Sequence, residues 1–320
     1  MSRPESPRPA RPGGCRLRGP RLPASGAGPG TKKTAATRKG RALVARADPR
    51  TPGPETPGSA RITNYLLGGH DNYAADRAKA AEIEAIFPPP APGELSVPRQ
   101  MALDSREFTG RAVRWAARQG VSQFLDLGCG LAPPPPLPAV HAAARSVCPA
   151  ARVAYVDKDP EACDHLKYAM PGGTPDGIAV ICEDFRHPAG IWREAVKAGI
   201  VRPGEPVCVL AALVLHLMAP GAARALVRQY AQRAAPGSLI AVSVPHVADE
   251  GAWKQLAAAC PLPAWNYGEA DVLAALDGLE VVPPGICDAA GLRPGWADCP
   301  GPGGAAYVIA GIGRVALLSA

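Results

Sequence analysis

The residues of this chain best suited to chemistry sit in one short run, Phe124-Leu125-Asp126-Leu127-Gly128-Cys129-Gly130. An apolar run that ends in Asp-x-Gly-x-Gly is how a buried strand hands over to a loop that cradles a nucleotide. Gly128 and Gly130 let backbone approach a ligand that a Cβ would push away. Twenty-seven residues after Gly130, the run Val153-Ala154-Tyr155-Val156 ends in Asp157, where an acceptor for a ribose diol would stand at the tip of the next parallel strand. A further acidic tip, Glu183-Asp184, follows the run from Ile178 to Cys182. Successive strand ends that each carry a polar residue describe one ligand crevice along the carboxyl edge of a parallel sheet.

A Gly-x-Gly alone also fits a tight turn that binds nothing; Asp157 and Asp184 favour the ligand. The loop then separates two cofactor classes. A dinucleotide fingerprint needs a third glycine three residues on, and Pro133 stands there. Asp126 adds negative charge beside the loop, which would repel a diphosphate but could accept from an ammonium group or order the turn. S-adenosylmethionine, which carries an amine and a sulfonium and no phosphate, suits these residues better. An NAD-dependent dehydrogenase is correspondingly disfavoured.

The elements that must position these residues alternate in βαβ order. Strands are predicted at Gln123–Leu127, Val153–Val156, Ile178–Cys182, Pro206–Val214 and Leu239–Val244, then near Leu279–Val282 and Ala306–Ala310. Helices are predicted at 139–147, 160–169, 191–198, 222–234 and 270–276. Earlier helical segments run from Arg61 to Phe87, interrupted at Gly68-Gly69, and from Leu103 to Gln119, closed by Gly120. The expected fold is α/β: a Rossmann-like, doubly wound, seven-stranded and mostly parallel sheet. Its last two strands would pair as an antiparallel edge, joined by the Pro/Gly-rich loop from Pro283 to Gly304.

Charge divides the chain of 320 residues unevenly. Residues 1 to 59 hold 13 Lys plus Arg against Glu5, Asp48 and Glu55, or +10, which leaves +7 − 10 = −3 for residues 60 to 320. With Pro, Gly, Arg, Ser and Ala dominant, this tail cannot bury enough surface to offset the entropy of ordering, and it is predicted to be disordered. It lacks the apolar core of a secretory signal. Any nucleic-acid contact is expected only through this basic tail, which equally reads as a solvated extension. Residues 60 to 320 are the expected functional domain, with 60 to 120 as its N-terminal helical segment.

The nine cysteines show no Cys-x-x-Cys pair and no zinc spacing, so no metal site is expected, and reduced, mostly buried thiols are predicted. The longest apolar stretch, Val207 to Leu215, is too short to cross a bilayer. No membrane partner is expected, and a cytoplasmic location follows by default; oligomeric state has no signature.

Asp126 to Gly130, the acidic tips Asp157 and Asp184, the strand end Leu210 to His216 and Ala235-Pro236-Gly237-Ser238 resemble a class I S-adenosylmethionine-dependent methyltransferase. More narrowly, the chain resembles the actinobacterial S-adenosyl methyltransferase family once catalogued as a domain of unknown function. Arg61-Ile62-Thr63-Asn64-Tyr65-Leu66-Leu67-Gly68-Gly69-His70-Asp71-Asn72-Tyr73-Ala74-Ala75-Asp76-Arg77 carries that likeness most specifically, with Arg111 to Trp115, Gln123 to Leu131 and Val214-Leu215-His216. The likeness runs from about residue 60 to the C-terminus.

The resemblance implies roles. Gly128 and Gly130 would line the loop near the amino-acid end of S-adenosylmethionine, Asp157 would accept from its ribose, and Asp184 or Phe185 would meet its adenine. Tyr65, Gly69 and Asn72 would fold over the cofactor as part of a helical lid; equally, Tyr65, Leu66, Leu67 and Tyr73 could simply glue the first helix to the sheet. His216 follows the fourth strand, from which side chains of such folds reach the methyl group, and is the candidate base; a histidine held in the strand-to-helix turn is the alternative. His246 is a weaker candidate of the same type. The methyl acceptor is expected to be a small molecule.

The chain also departs from the family pattern. Ala132-Pro133-Pro134-Pro135-Pro136-Leu137-Pro138 replaces the usual Pro-Thr stretch and Asn, and Ser105 stands where Asn is common, beside Arg106. Four consecutive prolines supply no N–H donors. A non-catalytic cofactor-binding or regulatory protein of the same fold is therefore the competing reading.

Overall fold

A computed structural model describes residues 53–170, 175–299, 301 and 304–316. The chain opens with helices α1 (Ser59–Leu66), α2 (Ala74–Glu84) and α3 (Val97–Arg118). There follow β1 (Gln123–Leu127), α4 (Val140–Arg145), β2 (Arg152–Asp157), α5 (Pro160–Tyr168), β3 (Ile178–Cys182), α6 (Pro188–Lys197) and β4 (Cys208–Ala212). A 3₁₀ turn at Leu215–Leu217 then leads to α7 (Pro220–Ala231), β5 (Leu239–Val247), α8 (Glu250–Ala259) and α9 (Glu269–Ala275). The chain closes with β6 (Glu280–Val281), β7 (Cys287–Asp288) and β8 (Ala306–Arg314).

The strands form one sheet in the order β3-β2-β1-β4-β5-β8-β6, with β7 also paired to β8. From β3 to β5 all pairings are parallel, whereas β8 runs antiparallel to β5, β6 and β7. Parallel strands covered on both faces must be apolar on both, and β1 is buried at every position. Its alternate residues feed two cores: Phe124 packs with Phe108 and Val113 of α3 and Ala143 of α4, while Leu125 and Leu127 join the core of Ile191, Leu226 and Val272 from α6, α7 and α9. The doubly wound, mostly parallel sheet is as expected.

The sheet has eight strands instead of seven among the described residues, because β7 forms inside the predicted Pro283–Gly304 loop. Two residues are too few to show a period of two. Strand β8 lies between β5 and β6, so its pairing with β6 is the predicted edge. Helix α8 was not predicted, and it has no fully buried residue to impose a stripe; Leu256 and Ala259 pack only partly buried against Ile62 and Ile83.

Two further expectations need correction. Cys287 and Cys299 form a disulfide across a separation of 12 residues, a spacing without a recognisable signature. The other described cysteines are free, and Cys129, Cys163 and Cys208 are buried, whereas Cys182 is exposed. The tail predicted to be disordered falls outside the described residues as far as residue 52. Its last residues, from 53 on, belong to the folded body: the Thr56 carbonyl accepts from Arg61 Nη2 at 2.6 Å, and the Gly58 N–H donates to Asp76 at 2.8 Å.

Candidate functional site

At the carboxyl ends of β1 to β4 lies a cavity of about 820 Å³, within the size range of sites for drug-sized ligands. Gly128, Gly130, Asp157, Asp184 and Phe185 all line it, so the structure gathers at one site the strand-tip residues picked from sequence. Pro133 and Pro134 contribute to its wall beside Leu131 without filling it.

The glycine loop is shaped for close approach. Gly128 has φ +58°, and a Cβ there would lie 2.3 Å from Val214 Cγ1. Gly130 has φ +62°, and its N–H donates to Asp157 Oδ2 at 2.9 Å, while Asp157 Oδ1 accepts from the Asp159 N–H at 3.0 Å. The carboxylate that ends β2 thus fixes the loop that ends β1. Burial holds the Asp157 carboxyl above its ordinary pKa despite those N–H donors. Each of its oxygens has a second lone-pair direction, so it keeps capacity for a hydroxyl donor.

At the tip of β3, Asp184 pairs with Arg186, whose Nε lies 2.9 Å from Oδ1 and whose Nη2 lies 2.5 Å from Oδ2. Burial alone would raise this carboxyl, but the Arg186 bonds and charge outweigh it and hold it below the usual range. Phe185 is 8% exposed, and its carbonyl accepts from Tyr230 Oη at 2.7 Å. Asp126 is absent from the wall. It lies buried at the base of the loop, where burial first and Asp157 second push its pKa to about 6 against the pull of Arg106. Of the two roles considered for it, ordering the turn suits this placement.

Helix α1 and the residue that caps it roof the cavity with Ala60, Thr63, Asn64 and Leu67, one face at i, i+3, i+4 and i+7. Its other side carries Ile62, Tyr65 and Leu66, which pack with Ala80 and Ile83 of α2. The cavity face and the packing face are therefore opposite sides of one helix, and the packing is against α2 and α8, not against the sheet. Tyr65 lies under the Arg99 guanidinium at 4.8 Å, and neither it nor Gly69 nor Asn72 lines the cavity.

Those residues act on Asn64 instead. Asn64 Oδ1 accepts from Asn72 Nδ2 at 3.0 Å and from the Asp71 N–H at 3.0 Å, and a Cβ at Gly69 would sit 2.5 Å from its amide. Asn64 Nδ2 is buried without a hydrogen-bond partner, a donor on the cavity wall suited to a ligand acceptor. The helical period of residues 60 to 67 would have singled Asn64 out. Arg106 was missed as a site residue in the same way: α3 presents Ala102, Ser105 and Arg106 at i, i+3 and i+4, and Arg106 Nη2 donates to the Cys129 carbonyl at 2.9 Å.

Helix α1 is tied down by a buried charge cluster. Arg61, 1% exposed, donates from Nε to Asp76 Oδ2 at 2.9 Å and also pairs with Glu161 on the first turn of α5. Tyr73 Oη reaches the same Glu161 at 3.2 Å. Helix α1 is therefore pinned to the helix that starts beside Asp157.

His216 lies in the 3₁₀ turn, and although Val214 and Leu217 line the cavity, His216 does not. Its Nδ1 is buried without a partner, and burial lowers its pKa to about 4. His246 is likewise outside the wall, with Nδ1 2.7 Å from the Tyr267 carbonyl. No group of His, Cys, Asp and Glu suited to a metal ion occurs among the described residues.

A Rossmann-like sheet with a glycine loop at β1, acids at the tips of β2 and β3 and no third loop glycine defines a class I S-adenosylmethionine-dependent methyltransferase. The chain belongs to the S-adenosyl methyltransferase family, whose model matches residues 48–316. It is similar to a putative methyltransferase from Thermobifida fusca, with 30% identity and TM-score 0.69 over 82% of this chain and 96% of that one. It is also similar to a DUF574 family protein from Streptomyces avermitilis, with 27% identity and TM-score 0.68 over 81% of this chain and 98% of that one. No protein of curated function matches the sequence. The cofactor is S-adenosylmethionine, and the close-approach loop, the unpartnered Asn64 Nδ2 and the acidic strand tips fit it.

Proposed function

We propose that residues 53 to 320 form the catalytic unit and transfer a methyl group to a small-molecule acceptor, with the residues before them as a basic extension. The observation that carries this is a single cavity uniting Gly128, Gly130, Asp157 and Asp184 with an apolar end beyond Val214. S-adenosylmethionine supplies a methyl carbon activated by its sulfonium, so the protein's task is to hold the acceptor in line in a dry site.

In this reading Arg106 and Asn64, with the backbone at Gly128 and Gly130, hold the amino-acid end of the cofactor. Asp157 accepts from the ribose. Asp184, kept ionised by Arg186, accepts from the adenine amine, and Phe185 packs on the ring. Asp126 acts from below by ordering the loop, and Tyr65, Gly69 and Asn72 act by shaping α1 and Asn64. His216, which does not line the cavity, is not assigned the role of base.

Calorimetric titration with S-adenosylmethionine and S-adenosylhomocysteine tests the reading, with saturable binding expected and loss on Asp157→Ala. Absence of heat at millimolar ligand would favour a degenerate scaffold. Contact with polyanions, if the protein makes any, belongs to the tail and should vanish on deletion of residues 1 to 52. No helix among the described residues is long and apolar enough to cross a membrane.

A further inference from the structure

The cavity extends beyond the strand tips of β1, β2 and β3 onto a shelf made by residues 261 to 265. Pro261, Leu262, Pro263 and Trp265 line it opposite Leu213 and Leu217. Pro261 and Pro263 are exposed, and Trp265 is 39% exposed. A large aromatic left open to solvent at the mouth of a cavity is an unusual place for apolar surface unless a ligand covers it.

The shelf is rigidly built. The Trp265 N–H donates to the His216 carbonyl at 2.8 Å, and Asn266 bonds both the N–H and the carbonyl of Val247, at 3.1 and 2.7 Å. Tyr267, 1% exposed, donates from Oη to the carbonyls of Leu215 and Met218 at 2.9 and 2.8 Å. Facing it, Leu213 has φ +52° and is the sole non-glycine residue with positive φ among the described residues. Backbone held in that region by a hydrogen bond from Leu213 N–H to the Ser243 carbonyl is strain of the kind that collects at functional sites.

The charges of the wall all lie elsewhere. Its carboxylates are Asp157, Asp159, Glu183 and Asp184, on the tips of β2 and β3, which stand two and three places from β4 in the sheet. At the usual strand spacing that is about 10 to 15 Å. Each is also engaged: Asp157 by the Gly130 and Asp159 N–H groups, Asp159 by Glu161 N–H, Glu183 by the Asp184 N–H and His187, Asp184 by Arg186. Ser105, the hydroxyl on the α3 side, is bonded to Ser243 Oγ at 2.9 Å. No histidine lines the cavity among the described residues.

A wall of this kind selects its acceptor by what it lacks. A phenol or alcohol must lose its proton near the transition state and would need a base at the apolar end. A protonated amine would need both a base and a counter-charge, and a carboxylate would need a cation at the apolar end, whereas Arg106 is held over the glycine loop by the Cys129 carbonyl and the other cations of the wall, Lys158 and Arg186, follow β2 and β3, with Arg186 on Asp184. Resting on the methyl-transfer reading, we propose that the acceptor is a flat, uncharged nitrogen heterocycle that lies on the Trp265 shelf and attacks through a ring-nitrogen lone pair. The lone pair forms the N–CH₃ bond as the S–CH₃ bond breaks, its electron pair returns to sulfur, and the positive charge passes from the sulfonium to the methylated nitrogen. No proton leaves, so no residue need receive one.

The test uses the full chain, S-adenosylmethionine with a labelled methyl, and two probes matched in shape, isoquinoline and 2-naphthol. Labelled N-methylisoquinolinium is expected with one equivalent of S-adenosylhomocysteine, at least about tenfold faster than any 2-naphthyl methyl ether. Trp265→Ala should raise KM for isoquinoline about fivefold to tenfold, leaving the Kd for S-adenosylmethionine unchanged, and Trp265→Phe should restore most of it. Preferential methylation of 2-naphthol, or no transfer to either probe by protein that binds S-adenosylmethionine, would overturn the proposal. Failure to bind S-adenosylmethionine would instead sink the methyl-transfer reading on which it rests.

Discussion

The two ends of the cavity are built by different means. The end at β1, β2 and β3 is polar and made from residues that follow strands at regular intervals, each tied to the next by a backbone or carboxylate bond, as Asp157 ties Gly130. The end at β4 is apolar and made from a loop at 261 to 267 that reaches back to the 3₁₀ turn. The first arrangement fits a cofactor whose shape is fixed, and the second can change sequence without disturbing the sheet. A substitution should therefore damage one end and spare the other.

The largest effect is expected from Arg61→Met. It removes the cation buried between Asp76, itself 0% exposed, and Glu161, leaving Asp76 with the N–H groups of Gly58 and Tyr73 as its remaining donors. Breaking one side of a buried pair costs about 3–5 kcal/mol. Denaturant unfolding should show that loss, and S-adenosylmethionine affinity should fall as α1 loosens. Stability within about 1 kcal/mol of the parent would mean that the cluster does not hold α1.

Gly128→Ala comes next. A methyl group at φ +58° adds backbone strain, and its contact with Val214 Cγ1 at 2.3 Å forces the loop or strand end to move. Together these are worth about 2–4 kcal/mol. The cofactor Kd should rise about a hundredfold. Adding Val214→Ala should return the overpacking share and leave the strain share, separating the two by a double-mutant cycle. Unchanged cofactor binding in Gly128→Ala would remove the loop from the polar end.

The fold was legible because strands of a parallel sheet read as apolar runs, buried on both faces in β1 and half-buried at the edge in β3, so Gln123–Leu127 and Ile178–Cys182 could be bounded to the residue. The polar end was legible for the same reason, since its residues sit where those runs stop. Asn64 and Arg106 were harder: they lie on helix faces, and only the 3.6-residue period distinguishes the cavity side of α1 from the side that carries Tyr65. The shelf could not be read. Pro261 to Tyr267 has neither period, and its position depends on hydrogen bonds to residues about 20 to 50 positions away.

Acid titration sharpens the contrast through buried Asp126 and half-buried His216, whose Nδ1 is buried. Asp126, under the polar end, is raised to about 6, and His216, under the apolar end, is lowered to about 4. For Asp126 the native state binds the extra proton between about 4 and 6, so stability from this group is full below the unfolded value and lost as pH rises. For His216 the unfolded state binds the extra proton between about 4 and 6.5, so its stability is full at neutral pH and lost as pH falls. The opposing slopes overlap. Asp126→Asn should leave the histidine slope uncovered and make the protein more acid-sensitive. His216→Gln should do the reverse, each by about 2–3 kcal/mol between pH 4 and 7. Thermal unfolding across that range measures both, and parallel curves for the two variants would contradict the assignment.

The smallest expected effect isolates the shelf. Tyr267→Phe keeps the buried ring and removes the hydroxyl that bonds the carbonyls of Leu215 and Met218. Leaving those carbonyls short of a donor costs about 1–2 kcal/mol. Because Trp265 is anchored to the neighbouring His216 carbonyl, the loosened turn should displace the shelf and raise the acceptor KM about threefold. The cofactor Kd should not move, since Tyr267 touches no residue of the glycine loop through its hydroxyl. Equal shifts in both constants would show that the two ends of the cavity are mechanically one piece, and the division drawn between them would fail.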